Sequence, residues 1–323
     1  MPVGVNLATH LDLFGPRPRK VVNVASVPQL SPLRYPGGKT WLVPEIRTWL
    51  TGISTRPSTF VEPFAGGGIA SLTAVFEGHV DRAVLCELDH GIAALWRVIL
   101  KDGPWLANKI LSFTLSEPRV IEYLSRSPSD QGELAFQILL RNRVQRGGIL
   151  AKGASLMRSG ENGKGIASRW YPETLARRIV KIFDRRERIE IIEGDGFEII
   201  KQYRFDPRAV FFVDPPYTAG GKRAGRRLYT HNQLDHDAVF RLMSEVAGSF
   251  LMTYDESPEV EALVREHKFA VGRIPMKNTH HAQMFELLIG RATDASNIKQ
   301  VCFEYGARIR KVKRHVRHDT RRS

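Results

Sequence analysis

The sequence is poor in cysteine and has no long apolar segment. Only two cysteines, Cys86 and Cys302, occur in 323 residues, without disulfide or metal-ligand spacing. No apolar run approaches the roughly 20 residues of a membrane helix, and the N-terminus lacks a secretion-signal pattern. The histidines His280 and His281 are adjacent, which is not metal-ligand spacing. These absences predict a reduced, cytoplasmic protein with no membrane segment, disulfide or metal.

Acidic residues are in the minority, and the basic excess is unevenly placed. The net charge is +14 and the pI is near 10.0. Residues 101–190 carry 17 Lys and Arg against 10 Asp and Glu, and residues 307–323 carry 8 against 1. The rest of the chain is balanced. An excess concentrated in two segments predicts a polyanionic partner, such as a nucleic acid.

One apolar run ends abruptly in a carboxylate, two prolines and a tyrosine, at Phe211-Phe212-Val213-Asp214-Pro215-Pro216-Tyr217. Prolines supply no backbone N–H, so the predicted strand must stop there. The carboxyl end of a strand in an open α/β sheet is where ligands bind. Asp214 and the Pro215 carbonyl could accept hydrogen bonds from both N–H groups of an exocyclic amino group, with Tyr217 stacked on the base. Taken alone, the motif could also be an ordinary strand end with a turn.

Two further predicted strands end in residues that could hold a nucleoside. Phe60-Val61 leads into the turn Glu62-Pro63-Phe64-Ala65-Gly66-Gly67-Gly68, and a helical pattern follows. This is the strand–turn–helix arrangement in which backbone approaches a ligand closely. The strand Ala83–Cys86 ends in Glu87, about 20 residues on, where a carboxylate can accept hydrogen bonds from ribose hydroxyls. The alternative for Glu87 is a solvated strand end.

A glycine pair opens a predicted helix at Tyr35-Pro36-Gly37-Gly38-Lys39. Such a turn offers N–H groups and positive charge to an anion. Leu33 stands where a nucleotide-triphosphate loop needs glycine, so that class is excluded. We expect a loop that faces a carboxylate or a phosphate.

The basic block between these motifs has a helical pattern and glycine-rich loops. Arginine, asparagine and glutamine make bidentate contacts to base edges, and lysine contacts phosphate. A solvated basic helical region is the alternative. The candidate DNA-contacting residues are Arg141, Asn142, Arg143, Arg146, Lys164 and Arg169 in this block, and Lys222, Arg223, Arg226 and Arg227 in a later loop.

Further predicted strands complete an α/β pattern: Ile189–Ile192, which leads to Asp195; Phe250–Thr253; and the pair Ala270–Ile274 and Met284–Ile289. The predicted organisation is an N-terminal arm (1–30), an α/β core (31–100 and 189–306), an inserted basic domain (101–188) and a basic tail (307–323) that contacts phosphates.

Taken together, the motifs resemble those of the Dam-like, D12 class of DNA adenine-N6 methyltransferases. They occur in that family's order: Tyr-Pro-Gly-Gly-Lys at 35–39, Phe-Val-Glu-Pro-Phe-Ala-Gly-Gly-Gly at 60–68, Leu-Cys-Glu-Leu-Asp at 85–89, Glu-Gly-Asp at 193–195 and Asp-Pro-Pro-Tyr at 214–217. The family commonly has Trp-Ala in place of Tyr35-Pro36, and has no glycine between the residues matching Asp195 and Phe197.

The resemblance implies a Rossmann-like, seven-stranded α/β core with an inserted, mainly helical DNA-recognition domain. It implies S-adenosylmethionine as methyl donor and double-stranded DNA as substrate. A cognate restriction or defence system would be a further partner. The implied donor-binding residues are Tyr35, Lys39, Glu62, Pro63, Phe64, Gly66 and Gly68 at the methionine end, Glu87 at the ribose, Asp195 at the adenine, and Asp214.

The catalytic residues implied by the resemblance are Asp214, Pro215, Pro216 and Tyr217, around a target adenine flipped out of the duplex. The alternatives left open are an RNA adenine methyltransferase, a DNA cytosine-N4 methyltransferase and a catalytically inactive DNA-binding relative.

Overall fold

A computed structural model gives the fold of the chain. It describes residues 27–34, 38–148, 150, 154–160, 163–216, 234–277 and 283–291. None of the helices in these ranges is long and apolar enough to cross a membrane. The predicted N-terminal arm lies outside the described residues except for its last four, and the basic tail lies wholly outside them.

Seven strands form one sheet, and all seven lie where the apolar runs predict them. They are β1 (Thr59–Glu62), β2 (Arg82–Glu87), β3 (Ile189–Glu193), β4 (Ala209–Val213), β5 (Phe250–Asp255), β6 (Ala270–Lys277) and β7 (Gln283–Gly290).

The strand order is β3-β2-β1-β4-β5-β7-β6. Strands β3, β2, β1, β4 and β5 are parallel neighbours, whereas β7 runs antiparallel to both β5 and β6. The order reverses direction between β1 and β4, since β2 lies on one side of β1 and β4 on the other. The crevice at the carboxyl ends of these two strands is therefore the topological switch point, where ligands bind in open α/β sheets. The predicted seven-stranded Rossmann-like core is confirmed.

Nine α-helices are described: α1 (Val43–Gly52), α2 (Ile69–Phe76), α3 (His90–Ser112), α4 (Glu117–Ser125), α5 (Gln131–Val144), α6 (Pro172–Phe183), α7 (Gly196–Tyr203), α8 (His236–Glu245) and α9 (Pro258–Glu266). Short 3₁₀ turns cover Lys39–Leu42, Arg146–Gly148, Gly165–Arg169 and Arg186–Arg188.

The central strands are buried on both faces, which explains why they read as continuous apolar runs. Successive residues of β4 alternate between two separate cores, because side chains along a strand point to opposite faces. Val210 and Phe212 belong to the core beneath α1, α2 and α3. Phe211 and Val213 belong to the core beneath α7, α8 and α9.

In the predicted recognition domain, helices α5 and α6 pack against α3 and α4 packs against α5, all within one apolar core. Edge-to-face aromatic contacts hold this part together, with ring centroids 5.2 Å apart for Phe113 and Phe136 and 5.9 Å apart for Phe113 and Trp170. The residues 101–188 are therefore mainly helical, as predicted, and continuous with one face of the core. Their role as a separate recognition domain remains a prediction.

Candidate functional site

Asp214 lies at the carboxyl end of β4, beside the switch point. The strand that precedes it is wholly buried, whereas the Asp214 side chain is 21% exposed. Pro215 is buried and Pro216 is half-buried. The strand thus delivers one carboxylate to the edge of the sheet, where a ligand can reach it. Tyr217 lies outside the described residues, so its stacking role is still a prediction.

Lys39 connects Asp214 to a second carboxylate. Its Nζ lies 2.8 Å from Asp214 Oδ1 and 3.0 Å from Glu286 Oε1, and Lys39 and Glu286 are almost fully buried. Burial alone would lower the pKa of Lys39, but the two carboxylates outweigh it and raise the pKa above its ordinary value. Lys39 is therefore charged at neutral pH. The sequence predicted that the motif containing Lys39 faces a carboxylate or a phosphate, and Lys39 contacts two carboxylates of the protein itself, Asp214 and Glu286. A contact between Lys39 and the methyl donor remains a prediction.

Two residues of this network were missed by the sequence analysis. Thr253 of β5 donates a hydrogen bond from Oγ1 to Asp214 Oδ1 (2.8 Å), and Glu286 lies on β7, 2% exposed. The signal for Glu286 was present: a carboxylate inside the apolar run Met284–Ile289 is costly to bury unless it is paired.

Glu62, at the end of β1, is buried on the other side of the switch point. Its Oε2 accepts a hydrogen bond from Ser71 N (3.0 Å) and contacts Ser71 Oγ. Burial raises the pKa of Glu62 to about 8, and the nearby carboxylates of Asp214 and Glu87 act in the same direction. Glu62 is therefore largely protonated at neutral pH, and it ties β1 to the first turn of α2.

The glycine turn between β1 and α2 uses conformations that favour glycine. Gly66 and Gly68 have φ of 48° and 61°, in the left-handed region. A Cβ on Gly68 would lie 2.8 Å from Leu85 Cδ2 and 2.9 Å from Trp96 Cζ2. Trp96 Nε1 also donates to Gly66 O (3.0 Å). The turn is thus fixed by the indole of α3, with no room for a side chain at residue 68.

Glu87 holds the same turn from the end of β2. Its Oε2 accepts from Gly66 N and its Oε1 accepts from Asp89 N, both at 2.9 Å. Burial raises its pKa to about 7. Asp89 in turn caps α3, accepting from the backbone N–H groups of Gly91 and Ile92. Each carboxylate oxygen of Glu87 can accept a second hydrogen bond, so a ribose contact is chemically feasible.

Asp195 is the N-cap residue of α7. Its Oδ1 accepts from Phe197 N (2.9 Å), and its side chain is exposed. The glycine that follows departs from the family pattern, and the structure shows a reason. A Cβ on Gly196 would lie 2.5 Å from Pro63 O and 3.0 Å from Phe64 Cε1. This close approach to the β1 turn requires glycine.

The predicted donor residues that the structure describes therefore lie at or near the carboxyl ends of the neighbouring strands β3, β2, β1 and β4. The close-packed turn at Gly66–Gly68 gives a ligand access to backbone, and the carboxylates of Glu87 and Asp195 match the hydroxyl and amino groups of a nucleoside. This set fits S-adenosylmethionine. Tyr35 lies outside the described residues.

The predicted DNA-contacting residues divide by exposure. Arg146 and Lys164 are exposed, and Arg141 and Arg169 are half-buried. Arg146 lies in a short hairpin, where Arg146 N donates to Ser155 O and Met157 N donates to Val144 O, both at 2.9 Å. Lys222, Arg223, Arg226 and Arg227 lie outside the described residues.

Two of these predictions need correction, since Asn142 and Arg143 are 0% and 4% exposed. Asn142 Oδ1 accepts from Arg34 N (2.8 Å), and its Nδ2 donates to Arg34 O (2.9 Å) and Gly148 O (3.0 Å). Arg143 Nη2 donates to Pro32 O. Both side chains hold backbone of the protein, so neither presents its polar atoms to a DNA base in this structure.

Arg143 is an unusual buried cation. Burial lowers its pKa to about 9, and Arg178, Arg34 and Arg169 act in the same direction. Arg178 Nη1 donates to Ser31 O (3.0 Å). Two arginines of the basic block, Arg143 and Arg178, thus bind backbone carbonyls of the segment 31–34. This part of the basic excess, which the sequence analysis assigned to a nucleic-acid partner, serves contacts within the protein.

Solved structures of low sequence identity resemble the chain. The rRNA methyltransferase aviRa from Streptomyces viridochromogenes is 13% identical, with a TM-score of 0.36, over 84% of this chain and 89% of that one. The M. capricolum TrmK structure with S-adenosyl-homocysteine is 7% identical, with a TM-score of 0.35, over 76% and 66%. Spermidine synthase from Thermotoga maritima is 10% identical, with a TM-score of 0.36, over 77% and 59%.

No curated protein sequence matches the chain. A family model does match: that of the D12 class N6 adenine-specific DNA methyltransferases, over residues 35–128. The matched segment contains the glycine turn, Glu87 and Lys39. The match supports a methyltransferase that uses S-adenosylmethionine as its cofactor. The resemblance to the D12 class that the motifs predict is therefore confirmed over residues 35–128, which hold three of the five motifs.

Proposed function

We propose that the chain transfers a methyl group from S-adenosylmethionine to the N6 amino group of adenine in double-stranded DNA. The observation that carries the proposal is the placement of Asp214. Its carboxylate lies at the switch point, at the end of a buried strand, fixed by Lys39 and Thr253. The Pro215 carbonyl comes next in the chain and would supply the second acceptor for the same amino group.

The chemistry required of these residues is modest. The amino group of adenine is a poor nucleophile, because its lone pair is delocalised into the ring. Asp214 and the Pro215 carbonyl would accept hydrogen bonds from its two N–H groups and favour a tetrahedral nitrogen. As the nitrogen attacks, positive charge develops on it, and the Asp214 carboxylate stabilises that charge. The product nitrogen then loses a proton to water.

The donor would lie across the glycine turn. S-adenosylmethionine, when bound, supplies a methyl group on a positively charged sulfur. Gly66–Gly68, Pro63 and Phe64 would hold its methionine end, Glu87 its ribose and Asp195 its adenine. Holding donor and acceptor in line supplies much of the rate enhancement, since reacting atoms need not find each other by diffusion.

The proposed substrate is duplex DNA, because the basic residues fit a phosphate backbone. Arg146 and Lys164 are exposed and Arg141 and Arg169 are half-buried on the basic block. The target adenine must leave the helix to reach Asp214, which costs a few kcal/mol of unstacking. A cognate restriction or defence system is part of this proposal through the family resemblance alone.

The test is to incubate the purified chain with tritiated S-adenosylmethionine and mixed-sequence duplex DNA, and then to analyse the nucleosides. Label in N6-methyldeoxyadenosine is the expected result. Label in N4-methyldeoxycytidine would keep the site but change the base. Labelled RNA with unlabelled DNA would move the substrate to RNA. No label in either would leave a catalytically inactive binding protein.

A further inference from the structure

Asn142 forms hydrogen bonds with both backbone polar groups of Arg34, the N–H and the C=O. The amide oxygen accepts from Arg34 N and the amide nitrogen donates to Arg34 O, at 2.8 and 2.9 Å. This is the exchange that a neighbouring strand would make, supplied here by one side chain of α5. Because Asn142 is fully buried, these hydrogen bonds are shielded from competing water.

Gly148 lies against both Asn142 and Arg34. Asn142 Nδ2 also donates to Gly148 O (3.0 Å). A Cβ on Gly148 would lie 2.6 Å from Arg34 O, so the hairpin backbone lies directly against the Arg34 carbonyl. We call Asn142, Gly148 and Arg34 the clamp.

The adjoining residues are held by the same helical region. Arg143 of α5 donates to Pro32 O, and Arg178 of α6 donates to Ser31 O. The segment 31–34 is therefore attached to the predicted recognition region at three carbonyls and one N–H.

The clamp lies between two functional parts of the chain. On one side, Gly148 belongs to the hairpin that carries Arg146, a candidate DNA contact. On the other side, Lys39 follows Arg34 by five residues and pairs with Asp214. The clamp therefore joins the hairpin, by direct hydrogen bonds, to a residue that lies close in sequence to the lysine that fixes the catalytic carboxylate.

We propose that Asn142 is a positioning residue that couples duplex binding at the helical region to the placement of Lys39 against Asp214. The inference rests on the proposed function. The sequence analysis predicted that Asn142 contacts a DNA base. The inference instead gives Asn142 a role in turnover.

The test compares Asn142→Ala with Asn108→Ala, an exposed asparagine of α3. Amide hydrogen exchange of Arg34 should accelerate in Asn142→Ala alone. Turnover should fall by about tenfold or more, since small misplacements near the chemistry are costly. The Kd for duplex DNA should change little. Faster exchange with unchanged turnover would overturn the coupling, and a weakened Kd with unchanged turnover would restore the DNA contact.

Gly148→Ala perturbs the clamp from the opposite side. Gly148 and Gly78 have φ of 72° and 74°, but nothing lies within 4 Å of a Cβ on Gly78. Gly148→Ala should reproduce the loss of turnover, and Gly78→Ala should not. If the two variants lost turnover equally, backbone strain at a positive φ would explain both losses, and the inference would be overturned.

If the wild-type chain transfers no methyl group, the proposed function has failed. The coupling is then measured as the change that a duplex makes in the affinity for S-adenosylhomocysteine. Asn142→Ala should abolish this change, and a coupling equal to that of the wild type would overturn the inference.

Discussion

Lys39 and Asp214, 175 positions apart in the sequence, form an ion pair of 2.8 Å at the switch point of the sheet. The lysine is buried and the carboxylate is partly exposed, so the pair presents one acceptor group to a ligand. A lone cation here would oppose the positive charge that develops on the attacking nitrogen. Glu286, 3.0 Å from the same Nζ, offsets that cation.

Glu286→Gln should therefore reduce turnover while donor binding is little affected. The amide can still contact Lys39, but the lysine charge is then balanced by Asp214 alone. Because the amide keeps the hydrogen bond but not the charge, only part of the roughly 1.5–3 kcal/mol of a charged hydrogen bond is lost, which predicts a loss of about tenfold in turnover. Single-turnover methyl transfer measures it. Glu198→Gln, at a carboxylate that is 67% exposed, is the control, and equal behaviour of the two variants would remove Glu286 from the network.

Thr253→Val should also slow methyl transfer, because it removes the hydroxyl that donates to Asp214 Oδ1 and keeps the side-chain shape. We expect a loss of about fivefold to tenfold, corresponding to roughly 1 kcal/mol for one hydrogen bond. Thr253→Ser should restore the rate, since it returns the donor. A serine variant as slow as the valine variant would attribute the effect to packing.

Gly68→Ala should destabilise the fold and weaken donor binding. The substitution places a Cβ in the left-handed region and within 2.9 Å of Leu85 and Trp96. Gly78→Ala has a similar φ with open space around it, so it carries only the backbone cost of about 1–2 kcal/mol. Denaturant unfolding and calorimetric binding of S-adenosylhomocysteine compare the two. Equal losses in both variants would show that the turn has room for a side chain.

The stability of the chain should depend on pH through Glu62. Burial raises the pKa of this carboxyl from 4.5 to about 8, so the folded state holds the proton more tightly than the unfolded state. Its contribution to stability is complete below about pH 4.5 and is lost as the pH rises through 8. Glu62→Gln, which stays neutral, should lose less unfolding free energy between pH 5 and pH 8 than the wild type. Parallel curves for the two proteins would mean that Glu62 is already ionised in the fold.

The strands could be predicted from the sequence because each is a short apolar run that ends at a carboxylate, proline or glycine. Val210–Val213 is buried on both faces of the sheet. A strand buried on both faces has apolar residues at every position, so it is easily identified as a continuous apolar run. The order of the strands could not be read in this way. It depends on which helices cover each face, and residues far apart in the sequence decide that.

The sequence predicted those site residues that belong to short contiguous motifs, and it missed those that do not. Glu62 ends β1 and Asp214 follows β4 directly, so their positions at the switch point could be expected. Thr253 and Glu286 lie on β5 and β7, and the sequence did not specify that these two strands pair with each other. Asn142 was misassigned because an asparagine beside arginines suits a base edge as well as a backbone peptide, and only burial separates the two.

The most direct test of the central claim is to compare Asp214→Asn with the wild type in single-turnover methyl transfer, with donor and DNA binding measured alongside. The substitution keeps the shape but removes the charge that stabilises the attacking nitrogen. We predict a loss of about a hundredfold or more in the rate, the scale of removing one electrostatic group from a preorganised site. Binding of S-adenosylhomocysteine and of duplex DNA should be retained. A variant that transfers methyl groups at nearly the wild-type rate would contradict the assignment of Asp214 as the carboxylate that receives the target amino group.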